Sequence, residues 1–293
     1  MIEKKMKNVY VVGSINTDLV IKAPYMPVSG ETLTGEGFFM AHGGKGANQA
    51  VAAARLGGNV VMCGCVGDDA FGKAALEAFQ TDGIDTQHVR VVENTPSGTA
   101  IIIVVDGDNR IILDKGANGC LTQQDIDDAL ENAQEGDIYL TQLENPIEII
   151  GYGLKKAKEK GMYVVLNPAP ANKEIIPHLS YCDLITPNET EVDLLGGREK
   201  LLEKVKTLLV TLGGDGFEII TRESRRKYPC IRITPVDTTA AGDTLCGGLV
   251  VMLAEGKTLE EAAKFGSKAA SIACMRTGAQ PSIPYRKEVF DFV

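Results

Sequence analysis

The segment Asp237-Thr238-Thr239-Ala240-Ala241-Gly242-Asp243-Thr244 runs directly into the apolar stretch Leu245–Ala254. It sets one carboxylate and three small residues at the expected start of a helix. The first amides of a helix have no internal partner, and the helix dipole favours negative charge there. With only Ala and Gly in front of them, an anion such as a phosphoryl group in transfer can approach closely. Asp243 then stands beside it as a base. The same residues also suit an Asp that does no more than cap a helix.

Other polar groups fall where short apolar runs end, the position at which open α/β sheets bind ligands. Gly13-Ser14-Ile15-Asn16-Thr17-Asp18 follows the first such run and offers an amide and a carboxylate to a polyol, or an Asx turn. Gly43-Gly44-Lys45-Gly46-Ala47-Asn48-Gln49 opens a helical pattern but lacks the spacing of a Walker A loop. A hydroxylated ligand suits its Lys45 and Asn48 better than a nucleotide phosphate does. Asn167-Pro168-Ala169-Pro170 and Thr186-Pro187-Asn188-Glu189-Thr190-Glu191 follow two further runs. Asn188 and Glu191 share one helical face, fit either to order a hydrated Mg²⁺ or to cap the helix. Thr211-Leu212-Gly213-Gly214-Asp215-Gly216 either passes along phosphates or simply turns the chain.

Strand-like runs at 9–12, 60–65, 138–140, 164–166, 184–185, 208–212 and 217–220 alternate with helical patterns. The helices are expected at 45–56, 70–81, 122–133, 146–160, 242–254 and 259–275. That alternation predicts an α/β fold, a mostly parallel central sheet flanked by helices. Asn145-Pro146 and Thr122 read as helix starts, and Thr258-Leu259-Glu260-Glu261 as a capping box. Residues 17–42 and 97–117 break the rhythm with β patterns alone, including a hairpin around Asp106-Gly107-Asp108-Asn109. They are expected to pair into a small sheet beside a core of 1–16, 43–96 and 118–293, a sheet that the resemblance given below makes a β lid. A sheet of this kind leaves an apolar face that must cover a ligand cleft or meet another subunit.

The net charge of −9 excludes a general nucleic-acid or anionic-membrane binder. The charged start Met1–Lys7 leads into a strand without a signal-peptide pattern, and no apolar run approaches membrane-spanning length, so a cytoplasmic protein is expected. Seven scattered cysteines read as reduced, buried thiols. Three histidines leave little material for His-based chemistry.

Taken in order, these motifs resemble the ribokinase (PfkB-type) family of carbohydrate kinases over essentially the full length. GGKGANQA and DTTAAGDT resemble its two signatures. Gln142-Leu143-Glu144 and Gly278-Ala279-Gln280-Pro281-Ser282 add to the likeness. The resemblance implies ATP-dependent phosphorylation of D-ribose at its 5-hydroxyl, with Asp243 as general base and the backbone of Ala240, Ala241 and Gly242 as anion hole. It implies sugar contacts from Asn16, Asp18, Gly43, Gly44, Lys45, Asn48 and Glu144. Nucleotide contacts fall on Asn188, Thr211, Gly213, Gly214, Gly216 and Gly242, and Glu191 joins the water network of Mg²⁺. A monovalent cation, K⁺, falls to Asp237, Thr239, Ala273, Arg276, Gly278 and Ser282, and a homodimer to the β lid. Kinases of deoxyribose, fructose or adenosine share the late signature and stand as alternatives. So does a non-catalytic sugar-binding regulatory protein, although Gly242 and Asp243 are both present. Between Glu191 and Thr211 the chain is shorter than is usual in that family, with Arg198–Lys206 expected as a short helix running straight into a strand.

Overall fold

A computed structural model describes residues 6–292; residues 1–5, most of the charged start, and residue 293 lie outside it. The chain opens with β1 (Asn8–Val12), β2 (Asn16–Lys22), β3 (Glu36–Gly43), α1 (Lys45–Arg55), β4 (Asn59–Gly67) and α2 (Ala70–Thr81). It continues with β5 (Asp85–Val92), β6 (Gly98–Val105), β7 (Asp108–Asp114), α3 (Gln123–Ala129), β8 (Ile138–Thr141), α4 (Ile147–Glu159) and β9 (Tyr163–Leu166). Then come β10 (Leu184–Ile185), α5 (Glu189–Leu194), α6 (Arg198–Lys204), β11 (Thr207–Thr211), β12 (Phe217–Ile220) and β13 (Arg225–Tyr228). The last elements are α7 (Ala241–Ala254), α8 (Leu259–Cys274) and α9 (Arg286–Asp291).

Nine strands make one sheet in the order β13-β12-β11-β10-β9-β8-β1-β4-β5. Pairing is parallel from β11 through to β5 and antiparallel at β11–β12 and β12–β13. Because side chains alternate across a strand, β1 feeds both faces. Val9 and Val11 join one core with α1, α7 and α8, whereas Tyr10 and Val12 join the other with α3 and α4. The parallel sheet is thus covered on both sides, as the alternating sequence pattern required. Helix α7 is buried along nearly all its length, from Asp243 to Met252. Among the described residues no helix is long and apolar enough to cross a membrane.

A separate four-stranded sheet, β3-β2-β6-β7, lies beside the main one. Its hairpin turn is shorter than expected: Val105 pairs with Asp108, so only Asp106 and Gly107 turn, both at positive φ (53° and 81°). Other departures are local. Helix α3 ends at Ala129 instead of 133, since its continuation tightens into bonds such as Ala133 N–H to the Leu130 carbonyl. Pro146, not Asn145, occupies the cap of α4, and the Asn145 amide turns to the Asn118 carbonyl. Strand β13, Arg225-Arg226-Lys227-Tyr228, carries no apolar alternation to predict it; its charges suit a sheet edge. Helix α6 reaches β11 through Val205-Lys206 alone, with extended Val205 buried against the core. No glycine is needed there. All seven cysteines are free, but only Cys63, Cys65, Cys182 and Cys246 are fully buried.

Candidate active site

Register in the small sheet builds the first half of the site. Pairing of β2 with β3 sets Asn16 opposite Gly43 and Asp18 opposite Ala41. A Cβ on Gly43 would meet the Asp18 carboxylate at 2.3 Å, and one on Gly46 would meet Gly13 at 2.5 Å. These glycines therefore let α1 close down on the turn after β1. Gly44, at φ 87°, makes the bend that no L side chain adopts easily. The start of α1 then presents Lys45 and Asn48 beside Asn16 and Asp18.

Each polar group is held from behind. Asn118 Nδ2 donates to Asn16 Oδ1 at 2.7 Å, so the Asn16 amide nitrogen is left to face a ligand. Glu144 accepts from the Ser14 hydroxyl and from the Lys45 backbone N–H at 3.1 Å. Asn48 donates to Asp243 Oδ2 at 3.0 Å, while its buried Oδ1 has no partner and is available to a hydroxyl. Burial, reinforced by the Glu144 and Asp243 carboxylates, raises the pKa of Asp18 to about 6.

The second half lies at the start of α7. Ala240 caps the helix from the left-handed region (φ 59°), with no side chain satisfying the amides that follow. That strain, in a non-glycine residue, turns the amides outward. Among the described residues the N–H groups of Ala240, Gly242 and Asp243 have no partner, but Ala241 N–H donates to the Thr238 carbonyl at 3.2 Å. Of the three amides expected as an anion hole, two are therefore free. A cavity of about 210 Å³ in front of them is lined by Lys45, Asn188, Glu191, Thr211, Thr238 and Ala240–Asp243. Burial opposes the charge on Lys45, but Asp243, Glu144 and Glu191 outweigh it and its pKa rises. Its side chain thus brings a positive charge to the cavity, while its backbone N–H is held by Glu144.

Asn188 and Glu191 form a reciprocal capping box, with both bonds at 2.8 Å, and also line this cavity. The capping reading of the pair holds, and the capped helix start faces the cavity. Burial raises the Glu191 pKa, with Lys45 opposing. Gly213 and Gly214 shape the turn between β11 and β12 outside the cavity wall, with open space where a Cβ would stand. Gly216 answers to packing, since a Cβ there would meet the Tyr228 carbonyl at 2.1 Å. Cys246, whose thiol burial pushes up to about 12, is a neutral wall of the cavity.

At the expected cation position, Asp237 accepts from Thr239 N–H and Oγ1 (2.9 and 2.6 Å) and from Gly278 N–H (2.8 Å). Despite desolvation, these bonds lower its pKa, so it stays charged. Ala273 and Ala279 carbonyls accept from Arg276 N–H and Ser282 in the same loop. One carboxylate amid backbone carbonyls suits a hard monovalent cation. Among the described residues no cluster of three or more His, Cys, Asp or Glu forms a site for a metal of higher charge.

Four residues that sequence reasoning did not assign complete the site: Gln49, Gln142, Asn167 and Asn118. Gln49 Nε2 donates to Asp243 Oδ1 at 2.9 Å and to Asn167 Oδ1 at 3.1 Å, and Gln142 Nε2 donates to Gln49 Oε1 at 2.6 Å. Gln49, Gln142 and Asn167 lay inside motifs already singled out. Their pairing across 93 to 194 residues was not legible.

The sequence matches the pattern of the pfkB family carbohydrate kinases over residues 6–286. It is 42% identical to the ribokinase of Haemophilus influenzae, covering 98% of both chains. Among solved structures, ribokinase from Thermotoga maritima superposes with a TM-score of 0.88 at 38% identity, covering 98% of this chain and 99% of that one. Arabidopsis thaliana ribokinase, complexed with ribose and ATP, gives 0.86 at 33% identity and 98% coverage of each chain.

Proposed function

The chain belongs to the pfkB family of carbohydrate kinases, and from that premise we propose that it transfers the γ-phosphoryl group of ATP to the 5-hydroxyl of D-ribose. The observation that carries this reading is the position of Asp243. Its carboxylate is bonded to Asn48 of the polyol half and sits one residue past the free amide of the anion-binding half.

Asn16, Asp18, Asn48 and Glu144 bind the sugar through hydroxyls that each donate and accept. Asp243 takes the proton of the attacking 5-hydroxyl as its oxygen bonds to phosphorus and the bond to ADP breaks. Deprotonation comes late in a loose transition state, so positioning outweighs base strength. Charge growing on the phosphoryl oxygens meets the amides of Ala240 and Gly242 and the Lys45 ammonium. The Ala241 amide joins them if the turn to Thr238 opens. Nucleotide phosphates run from Asn188 and Thr211 past the Gly213–Gly216 turn. Glu191 would order water around Mg²⁺, and Asp237, Thr239, Ala273, Arg276, Gly278 and Ser282 would hold K⁺; when bound, the ions would help to offset phosphate charge.

A substrate panel tests the reading. With ATP, Mg²⁺ and K⁺, ribose should give the highest kcat/KM; a higher value for deoxyribose, fructose or adenosine would displace it. Replacing K⁺ by Na⁺ at equal ionic strength should lower turnover severalfold, and equal rates would remove the selective cation site.

The raised pKa of Asp18 gives a pH signature. Sugar hydroxyls donate to its charged form, so KM for ribose should rise as pH falls below about 6. In the sugar-free protein the sign is opposite. A carboxyl raised on folding contributes stability below its unfolded value, and that is lost as pH rises through the folded value. Asp18→Asn should flatten both profiles while raising KM; a variant with the wild-type KM profile would count against Asp18 as a sugar ligand.

The small sheet carries a dimer proposal. Met40, Leu19, Ile101 and Ile112 form one cross-strand row, on the face opposite to Asp18 and its paired neighbours. Met40 and Ile112 are about 60% exposed, at 59% and 63%. An apolar row pointing away from the sugar suits a second copy of the chain. Light scattering should give a dimer mass that Ile112→Glu halves; a monomeric wild type contradicts this.

A further inference from the structure

Asp243, the base of the proposed reaction, does not stand alone, and any role for its neighbours rests on that assignment. Behind Asp243 runs a buried chain of three side-chain amides whose direction is set by one backbone atom. The Thr186 carbonyl can only accept, so Asn167 must turn Nδ2 to it, at 2.9 Å. Asn167 Oδ1 then faces Gln49 and can only accept, so Gln49 must turn Nε2 to it. The second hydrogen of that nitrogen meets Asp243 Oδ1. Gln49 Oε1, left on the other side, accepts from Gln142 Nε2. Gln49 is 0% exposed, and the chain draws on α1, α7 and the segments after β8, β9 and β10. The Gln142 Oε1 atom is left buried without a partner. The order of the amides is thus kept even where one acceptor goes unpaired.

The two oxygens of Asp243 are consequently unequal. Oδ1 is bonded to a side chain with no room to move. Oδ2 is bonded to Asn48, which faces the sugar half and has its own acceptor free. We infer that Gln49 is a positioning residue for phosphoryl transfer: it clamps Oδ1 and leaves Oδ2 as the oxygen that takes the sugar proton. The charged or titratable groups around Asp243 are Lys45 on α1, Asp18 on β2, Glu191 on α5 and Cys246 on α7. None of them replaces the Gln49 bond to Oδ1. A carboxylate without that donor rotates more freely, and the oxygen that faces the sugar is no longer fixed.

Gln49→Met keeps the volume and removes the donor. Its kcat should fall roughly tenfold to a hundredfold, as a misplacement of about 1 Å does. KM for ribose and ATP should change little, a split between kcat and KM that loss of fold or of sugar binding would not give. Gln142→Met, which frees the far end of Gln49 without touching Asp243, should lower kcat by a smaller factor at the same KM. Melting curves and calorimetric ribose binding establish that each variant is folded. Unchanged kcat in Gln49→Met overturns the clamp, as does a loss seen only as raised ribose KM. If Gln49→Met does not fold, Gln142→Met decides by the same split, and an unchanged kcat overturns the clamp. Wild-type turnover of ribose tests the function itself; the ratio of variant to wild type, on whichever sugar of the panel is turned over, tests Gln49.

Discussion

Asp243→Asn is expected to lower turnover roughly a thousandfold, within the range general bases contribute, while ribose still binds. The change is nearly isosteric and sits at the buried start of α7, where the backbone path does not depend on the side chain. The lost function is proton acceptance. An Asn side chain also turns its nitrogen toward either Gln49 Nε2 or Asn48 Nδ2, both donors to the native carboxylate. A modest loss of stability should accompany the loss of rate. A coupled ADP assay beside calorimetric ribose titration separates the two, and turnover near wild type would remove Asp243 as the base.

Gly242→Val should be the second most damaging single change, and for a different reason. Nothing in the protein lies within 4 Å of a Cβ at this position, so the fold tolerates the side chain. Val is also a better helix former than Gly, and the melting temperature should hold or rise. In the proposed reaction the empty space is the approach of the phosphoryl group to the free amides. Filling it should cost roughly a hundredfold in kcat, comparable to losing one oxyanion donor. Ribose affinity should be spared, because the proposed sugar ligands reach Asp243 through Asn48 and not through Gly242. A stable variant with full activity would show that the phosphoryl group does not pass this point.

The part of the site that could be read beforehand is the part written in contiguous residues. Ala240–Asp243 announces free amides because small residues precede an apolar helix, and Gly43–Asn48 announces a close approach because glycines cluster. What escaped depends on pairing at a distance. Asn16 and Asp18 meet the start of α1 only through the register of β2 on β3. Asn118 steadies Asn16 from about a hundred residues downstream, a separation of 102. Local composition hid other details: the left-handed Ala240 has no glycine to mark it, and nothing near Gly216 in sequence announces that Tyr228 packs against it. The alternation of strands and helices was legible because the inner strands β1, β8, β9 and β11 are buried on both faces. The charged edge strand β13 was not, since no hydrophobic period distinguishes it.

The central claim is that Asp243 faces the 5-hydroxyl of ribose, with the anion-binding amides beyond it. Phosphorus and carbon NMR of the product from ribose, ATP, Mg²⁺ and K⁺ tests this most directly. The expected product is a single phosphomonoester with phosphorus coupled to C5, formed in step with ADP. ATP hydrolysis without a sugar phosphate, or phosphorus coupled to C1, would contradict it.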